Sequence, residues 1–178
     1  WKLLWQNWFG IAPEDPLDVA REKFVREIIR LWGKQLGTAS AVEAAHLIGS
    51  LIGLEWPNSR YLSPFENDRE AQMNRAFELC RELLQRICSS RLTILWLDDL
   101  QWADRSSLDL IAYLFEPNSS PLPLLVLGGA RLEFIRQQSR LVNLAQVITL
   151  SPLPVEARYV AAAYADLRDL PLDVLTEL

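Results

Sequence analysis

Two hydrophobic rhythms divide the chain. Up to about residue 90, apolar side chains recur every three or four positions, the period of helices that lie on a core. Residues 2–9 hold Leu3, Leu4, Trp5, Trp8 and Phe9 and stop at Gly10, a turn or two of amphipathic helix. Next, Leu17, Phe24, Val25, Ile28, Ile29 and Trp32 repeat at helical spacing, with Asp15 placed as an N-cap, Pro16 at the first helical position and Gly33 as a C-cap. A softer helix is expected over 39–52, around His46. "LEWPNSRYLSPFEN" (54–67) reads as a loop from its Pro, Asn and Ser content. A helix over 67–90 then puts Phe77, Cys80, Leu83, Leu84 and Ile87 on one face and Arg and Glu on the other.

After residue 91 the rhythm changes. Residues 92–97 form a continuous apolar run, a strand buried on both faces. The helix over 105–116 shows Leu108, Ile111, Leu114 and Phe115 on one side. Asp104 would cap it, or Ser106 would, in a box with Asp109. "PLLVLGG" (123–129) is a second strand, "RLEFIRQQSR" (131–140) a helix or loop, and "QVITL" (146–150) a third, shorter strand. "SPLPVEARYVAAAYADL" (151–167) reads as a helix with Pro154 near its start. Strand–helix–strand–helix with continuous apolar strands predicts an α/β fold with a parallel sheet covered on both faces. An all-helical segment precedes it.

Composition narrows the function classes. A net charge of -5 gives no basic footprint, which disfavours direct nucleic-acid binding by this segment. No apolar run approaches the roughly 20 residues of a membrane span, and the first ten residues lack the features of a signal peptide. Cys80 and Cys88, eight residues apart on one helix, would lie roughly 12 Å apart, too far for a disulfide between them. Reduced thiols fit a cytoplasmic protein. The sole methionine is Met73 and the last residues, "DVLTEL", look helical, which together suggest an internal fragment of a longer chain.

The chemistry concentrates where the first strand ends. "LTILWLDDLQWAD" (92–104) runs an apolar strand into Asp98 and Asp99 and adds Asp104. Carboxylates are costly to bury, but ligands of parallel sheets bind beyond the carboxyl ends of the strands. One acid there suits a magnesium ion held with water and substrate phosphates, and a second can orient or deprotonate an attacking water. Rival chemistries lack residues: position 102 is Trp, so no DDxxD motif exists; no lysine follows Lys34 to serve a receiver domain; one His and two Cys give no zinc spacing. For Asp104, helix capping is the simpler role. His46 reads as a helix-face or core residue, and Trp96 and Trp102 as core or site-wall packing.

"ILWLDDLQWADRSSLDLIAYL" (94–114) resembles the Walker B segment of STAND-type AAA+ P-loop ATPases, signal-transduction ATPases whose AAA domain is of the origin-recognition type. The resemblance implies that Asp98 is the magnesium-binding acid, acting through water, and that Asp99 is the catalytic second acid. It further implies that Arg131, after "PLPLLVLGGA", is a sensor 1 residue contacting the γ-phosphate, and that ATP and magnesium are the cofactors. "VITLSPLPVEARYVAAAYADL" (147–167) is similar to the family's passage into a helical lid, and the first residues to its variable helical insert. The implied organisation is a helical insert over 1–90, a Walker B and sensor 1 core over 91–152 and the start of the lid over 153–178. The implied fold is a three-layer P-loop NTPase sheet, incomplete here.

One departure decides what this chain can do alone. The P-loop, G-x-x-x-x-G-K-[ST], is absent; the single Gly-Lys pair, Gly33-Lys34, is followed by Gln35. In the family the P-loop lies upstream, and its strand sits between the sensor 1 strand and the last strand. The expected partner is therefore the upstream half of the same chain, without which this segment should not hydrolyse ATP. The resemblance also implies an output domain of nucleotide cyclase, kinase or LuxR type, and self-association. The competing expectation is a non-hydrolysing scaffold that binds partners through its Trp-rich helices.

Overall fold

In a computed structural model, which describes residues 2–89, 91–117 and 119–151, the helical rhythm becomes four helices: α1 (Lys2–Trp8), α2 (Leu17–Leu36), α3 (Thr38–Leu51) and α4 (Arg69–Ser89). Ala20, Phe24, Ile28 and Trp32 form the buried stripe of α2, and all are at most 5% exposed. They meet the small residues Ala41, Ala44 and Ala45 of α3 in one core, which lets the two helices approach closely. Trp5 stacks on Phe9 at 5.4 Å, and Phe9 meets Phe24 edge-on at 5.0 Å, so α1 closes the bottom of the same core. From α4 come Phe77, Cys80, Leu83, Leu84, Ile87 and Cys88. Both cysteines are free and buried, and burial pushes the Cys80 thiol up to about 12.

Two helix boundaries differ from expectation. Pro16, not Asp15, is the N-cap of α2. The Asp15 carboxylate instead accepts the Ala12 N–H at 2.7 Å and the Lys23 ammonium at 2.6 Å, contacts that hold it below the usual carboxylate range, Lys23 foremost. Gly33 lies inside α2, which continues to Gly37, whose φ of 79° is the left-handed exit that Gly33 was expected to provide.

The sheet has two strands among the described residues, β1 (Thr93–Leu97) and β2 (Leu124–Gly128), paired in parallel from Thr93↔Leu124 to Leu97↔Gly128. The crossover between them carries α5 (Arg105–Leu114), as a parallel pair requires. One face holds Leu95 and Leu124, which join Leu83, Leu110 and Leu114 in the core. The other face is open: Ile94, Trp96, Leu125 and Leu127 are 53%, 75%, 50% and 49% exposed. A sheet covered on both faces is thus not formed by the described residues, although both strands carry the continuous apolar runs of such a sheet. Trp96 and Trp102, expected to pack, are exposed.

Beyond β2, residues 131–140 resolve into the short helices α6 (Leu132–Gln137) and α7 (Ser139–Leu144). The chain divides into a unit over Trp1–Ala145 and a second over Gln146–Leu178. Residues 146–150, expected as a third strand, are irregular, with Ile148 and Leu150 exposed. An apolar run becomes a strand only through a neighbour's ladder hydrogen bonds. The helix expected from Pro154 lies outside the described residues. No helix among the described residues is long and apolar enough to cross a membrane.

Candidate nucleotide site at the sheet edge

β1 stops at Leu97, and the backbone turns at once. Asp98 Oδ1 accepts the N–H of Asp99 at 3.0 Å, and Asp99 takes a left-handed conformation (φ 55°, ψ 45°), which Asp tolerates better than bulkier residues. A 3₁₀ turn over Leu100–Trp102 follows. The tip of β2 is fastened to this turn: the Gly129 N–H donates to Leu97 O at 2.8 Å, and the Leu100 N–H donates to Gly129 O at 2.9 Å.

The two glycines after Leu127 leave the space that side chains of the turn occupy. A Cβ on Gly128 would lie 2.7 Å from Leu100 Cδ1, and one on Gly129 would lie 2.7 Å from Asp98 Oδ1. The Asp98 carboxylate therefore rests directly against the β2 backbone. Gln101 spans the same gap. Its Nε2 donates to Asp99 Oδ1 at 2.6 Å, and its Oε1 accepts the Arg131 N–H at 3.2 Å. Arg131 is the exposed N-cap residue of α6. Asp98, Asp99, Gln101 and Arg131 thus share the carboxyl edge of one parallel strand pair, where α/β sheets bind ligands.

Asp104 belongs to this region but has structural work. Its Oδ1 accepts from the Ser107 N–H at 2.9 Å and the Ser106 hydroxyl at 2.7 Å, and its Oδ2 accepts from the Ser107 hydroxyl at 2.7 Å. Partial burial raises its pKa, but these hydrogen bonds outweigh that and bring it to about 2. The helix start therefore uses Asp104 as its cap, and Arg105 takes Asp109 at 3.1 Å.

The donor set decides which metals the edge could take. No group of three or more His, Cys, Asp or Glu side chains among the described residues could enclose an ion. Two adjacent exposed carboxylates suit a hard cation that keeps several waters and takes its remaining ligands from phosphate, which is the habit of magnesium. They do not suit zinc or an all-protein calcium cage.

The sequence offered Asp98, Asp99 and Arg131 as site residues, and they lie at one edge of the strand pair; the bridge through Gln101 and the Gly128–Gly129 seat were not foreseen. The adjacent "GG" at a strand end was the available signal, since paired glycines there mark close backbone approach. A second polar cluster lies far along the chain, in α3 and its loop. His46 Nδ1 pairs with Ser59 Oγ at 2.8 Å, its ring stacks on Trp56 at 4.6 Å, and Tyr61 meets it edge-on at 5.2 Å.

A family model described as AAA ATPase domain matches residues 7–127, more than half of the chain. Asp98, Asp99 and Gln101 fall within the match, and Arg131 falls four residues beyond its end. No curated protein and no solved structure matches the chain. With acids at the carboxyl edge of parallel strands and a matching family model over that edge, the chain belongs to the AAA ATPase domain family, a nucleotide-binding ATPase module.

Proposed function

We propose that this chain is the central part of a magnesium-dependent, STAND-type ATP switch in a cytoplasmic multidomain signalling or transcription-regulatory protein. The observation that carries the reading is the joined tip of β1 and β2, where Asp98 lies against Gly129 beside Asp99 and the residue-131 backbone. In this reading Asp98 holds magnesium through water, Asp99 orients and deprotonates the attacking water, and the Arg131 side chain reaches the γ-phosphate. Magnesium, when bound, neutralises charge on the phosphates. The phosphate cradle comes from the P-loop of the upstream half, whose strand would pair beside β2 and whose helix would help to cover Ile94, Trp96, Leu125 and Leu127.

Residues 1–90 then serve as the helical insert, 91–152 as the Walker B and sensor 1 part of a three-layer sheet, and 153–178 as the start of the lid. A bound γ-phosphate would favour one arrangement of lid and sheet and pass that state to an output domain of cyclase, kinase or LuxR type, with self-association in the ATP state. The scaffold reading finds less support. Trp5 and Trp32 are 1% and 4% exposed, so of the tryptophans in α1 and α2 only Trp8, 38% exposed, is offered to a partner.

The test is magnesium-dependent ATP binding and turnover by the parent protein, run beside the 178-residue chain. Turnover is expected in the parent and none in the chain. Asp98→Ala should abolish magnesium-dependent binding, and Asp99→Asn should spare binding while slowing turnover by about 10²–10⁴-fold. Full turnover in both variants would remove the assignment.

A further inference from the structure

The side chain of Gln101 joins two loops that the ATPase reading uses separately. Its amide oxygen and nitrogen cannot be interchanged here. A carboxylate accepts and a backbone N–H donates, so Nε2 must face Asp99 and Oε1 must face Arg131. Both ends of the amide are committed, one to each loop. The backbone on either side of Gln101 is fixed independently: the Leu100 N–H reaches Gly129 O, the Trp102 N–H reaches Asp99 O at 2.9 Å, and the Ala103 N–H reaches Leu100 O at 3.1 Å. A side chain launched from a fixed backbone and held at both ends of its amide has little rotamer freedom, and it removes that freedom from Asp99 as well.

The side chains nearest in size and shape each fail one task or both. Glutamate could accept the Arg131 N–H but would set a like charge against Asp99. Asparagine is one methylene shorter. Leucine fills similar volume and makes neither bond.

We infer that Gln101 is the positioning residue of this site: it fixes the orientation of the Asp99 carboxylate and couples that orientation to the backbone at Arg131. The inference rests on the ATPase reading for its functional half and on geometry alone for its structural half. In use, a movement of the β2 tip when a phosphate arrives or leaves would pull on Gln101 and turn Asp99. The second acid would then be aligned for water only when the residue-131 loop is in its ligand-engaged position.

Two experiments test the halves separately. In the 178-residue chain, amide hydrogen exchange at Arg131 reads the structural half, with the Ser107 amide in the α5 cap as a control for folding. Gln101→Leu should release Arg131 while leaving Ser107 protected, and Gln101→Glu, which keeps the acceptor, should leave Arg131 protected. Unchanged Arg131 exchange in Gln101→Leu would overturn the bridge. In the parent protein, Gln101→Leu and Gln101→Glu should lower kcat by about 10–100-fold with KM for ATP within about twofold, the pattern of a misplaced group and not of lost binding. Wild-type kcat in either variant, in a parent that turns over, overturns the positioning role and leaves the ATPase reading standing. A parent without turnover removes the ATPase reading and the positioning role together, and the exchange result then shows whether the bridge exists without it.

Discussion

Gly49 offers a prediction whose sign is set by one distance. It lies in the last turn of α3, where replacing glycine by alanine ordinarily stabilises a helix by about 1 kcal/mol. Here a Cβ would fall 2.0 Å from Cη2 and 2.4 Å from Cζ3 of Trp56. Ordinary contact begins at 3.4 Å, so the indole must retreat by 3.4 minus 2.0, about 1.4 Å. The ring is not free to do so cheaply, because its stack on His46 (4.6 Å, 20° between planes) anchors the loop after α3. Losing that stack costs about 0.5–1.5 kcal/mol, and forcing a methyl into a filled site costs about 1–3 kcal/mol. Against a gain of about 1 kcal/mol, Gly49→Ala should be destabilising by about 0.5–3.5 kcal/mol. Gly33→Ala in α2 is the matched control. Its Cβ would meet only Ile29, at 3.1 Å from Cγ2, so it should be neutral or slightly stabilising. Urea unfolding followed by helical circular dichroism measures both. A Gly49→Ala chain more stable than wild type, with the ring-current shift of Trp56 on His46 intact, would refute the argument.

Three further outcomes can be checked on the 178-residue chain and a fourth in the parent protein. Ser59 Oγ accepts the N–H groups of Tyr61 and Leu62 at 3.2 and 3.3 Å, so its proton goes to His46 Nδ1, and nitrogen NMR of the chain's one histidine should show the neutral Nε2–H tautomer. Burial, then the charge of Arg21, lowers the His46 pKa below 6.5 in the folded chain. Its contribution to stability is therefore complete above pH 6.5 and is lost as pH falls through the lowered value; stability that rises on acidification over that window, relative to His46→Gln, would contradict this. Asp104→Ala should cost about 0.5–2 kcal/mol by uncapping α5. The cap should be complete above pH 3.8 and fade as pH falls through about 2, and a pH-independent difference between Asp104→Ala and wild type from pH 5 to 2 would count against it. Gly129→Ala would put a Cβ 2.7 Å from Asp98 Oδ1, so it should displace the carboxylate and weaken magnesium-dependent ATP binding in the parent; unchanged binding would mean that Asp98 is seated elsewhere.

What the sequence conveyed depended on whether a feature was local. The period of α2 and α4 follows from spacing alone, and their buried stripes, Phe24–Ile28–Trp32 and Phe77–Cys80–Leu84–Ile87, are those the spacing predicts. The acids after β1 were equally visible, because a strand that ends in two carboxylates must end at an edge. Choices between adjacent candidates were not. Gly33 and Gly37 both suit a helix end, and only the turn into α3 selects Gly37. Asp15 has the chemistry of a cap, but Lys23, eight residues on, takes its carboxylate. The apolar run of β1 describes a strand meant for two covered faces, and the sequence cannot say which chain segment supplies the second cover. Gln101 was visible as part of a motif, yet its role depends on Arg131, thirty residues away and across the strand pair.

The unequal support of the two halves also shapes how this chain comes apart. α1 through α4 supply most of the one core, from Trp5 to Cys88, whereas β1 and β2 are a single parallel ladder that joins it by one face. Two strands alone are marginal, and here only one side of each adds apolar burial. Cooperativity should therefore break along that boundary: the strand pair and its tips open as one sub-global unit at low free energy, while the helices persist to the global transition. Amides of Leu95 and Val126 would then exchange well before those of Ile28 and Leu83. Anything that seats against Ile94 and Leu125 would, by mass action, merge the two transitions into one.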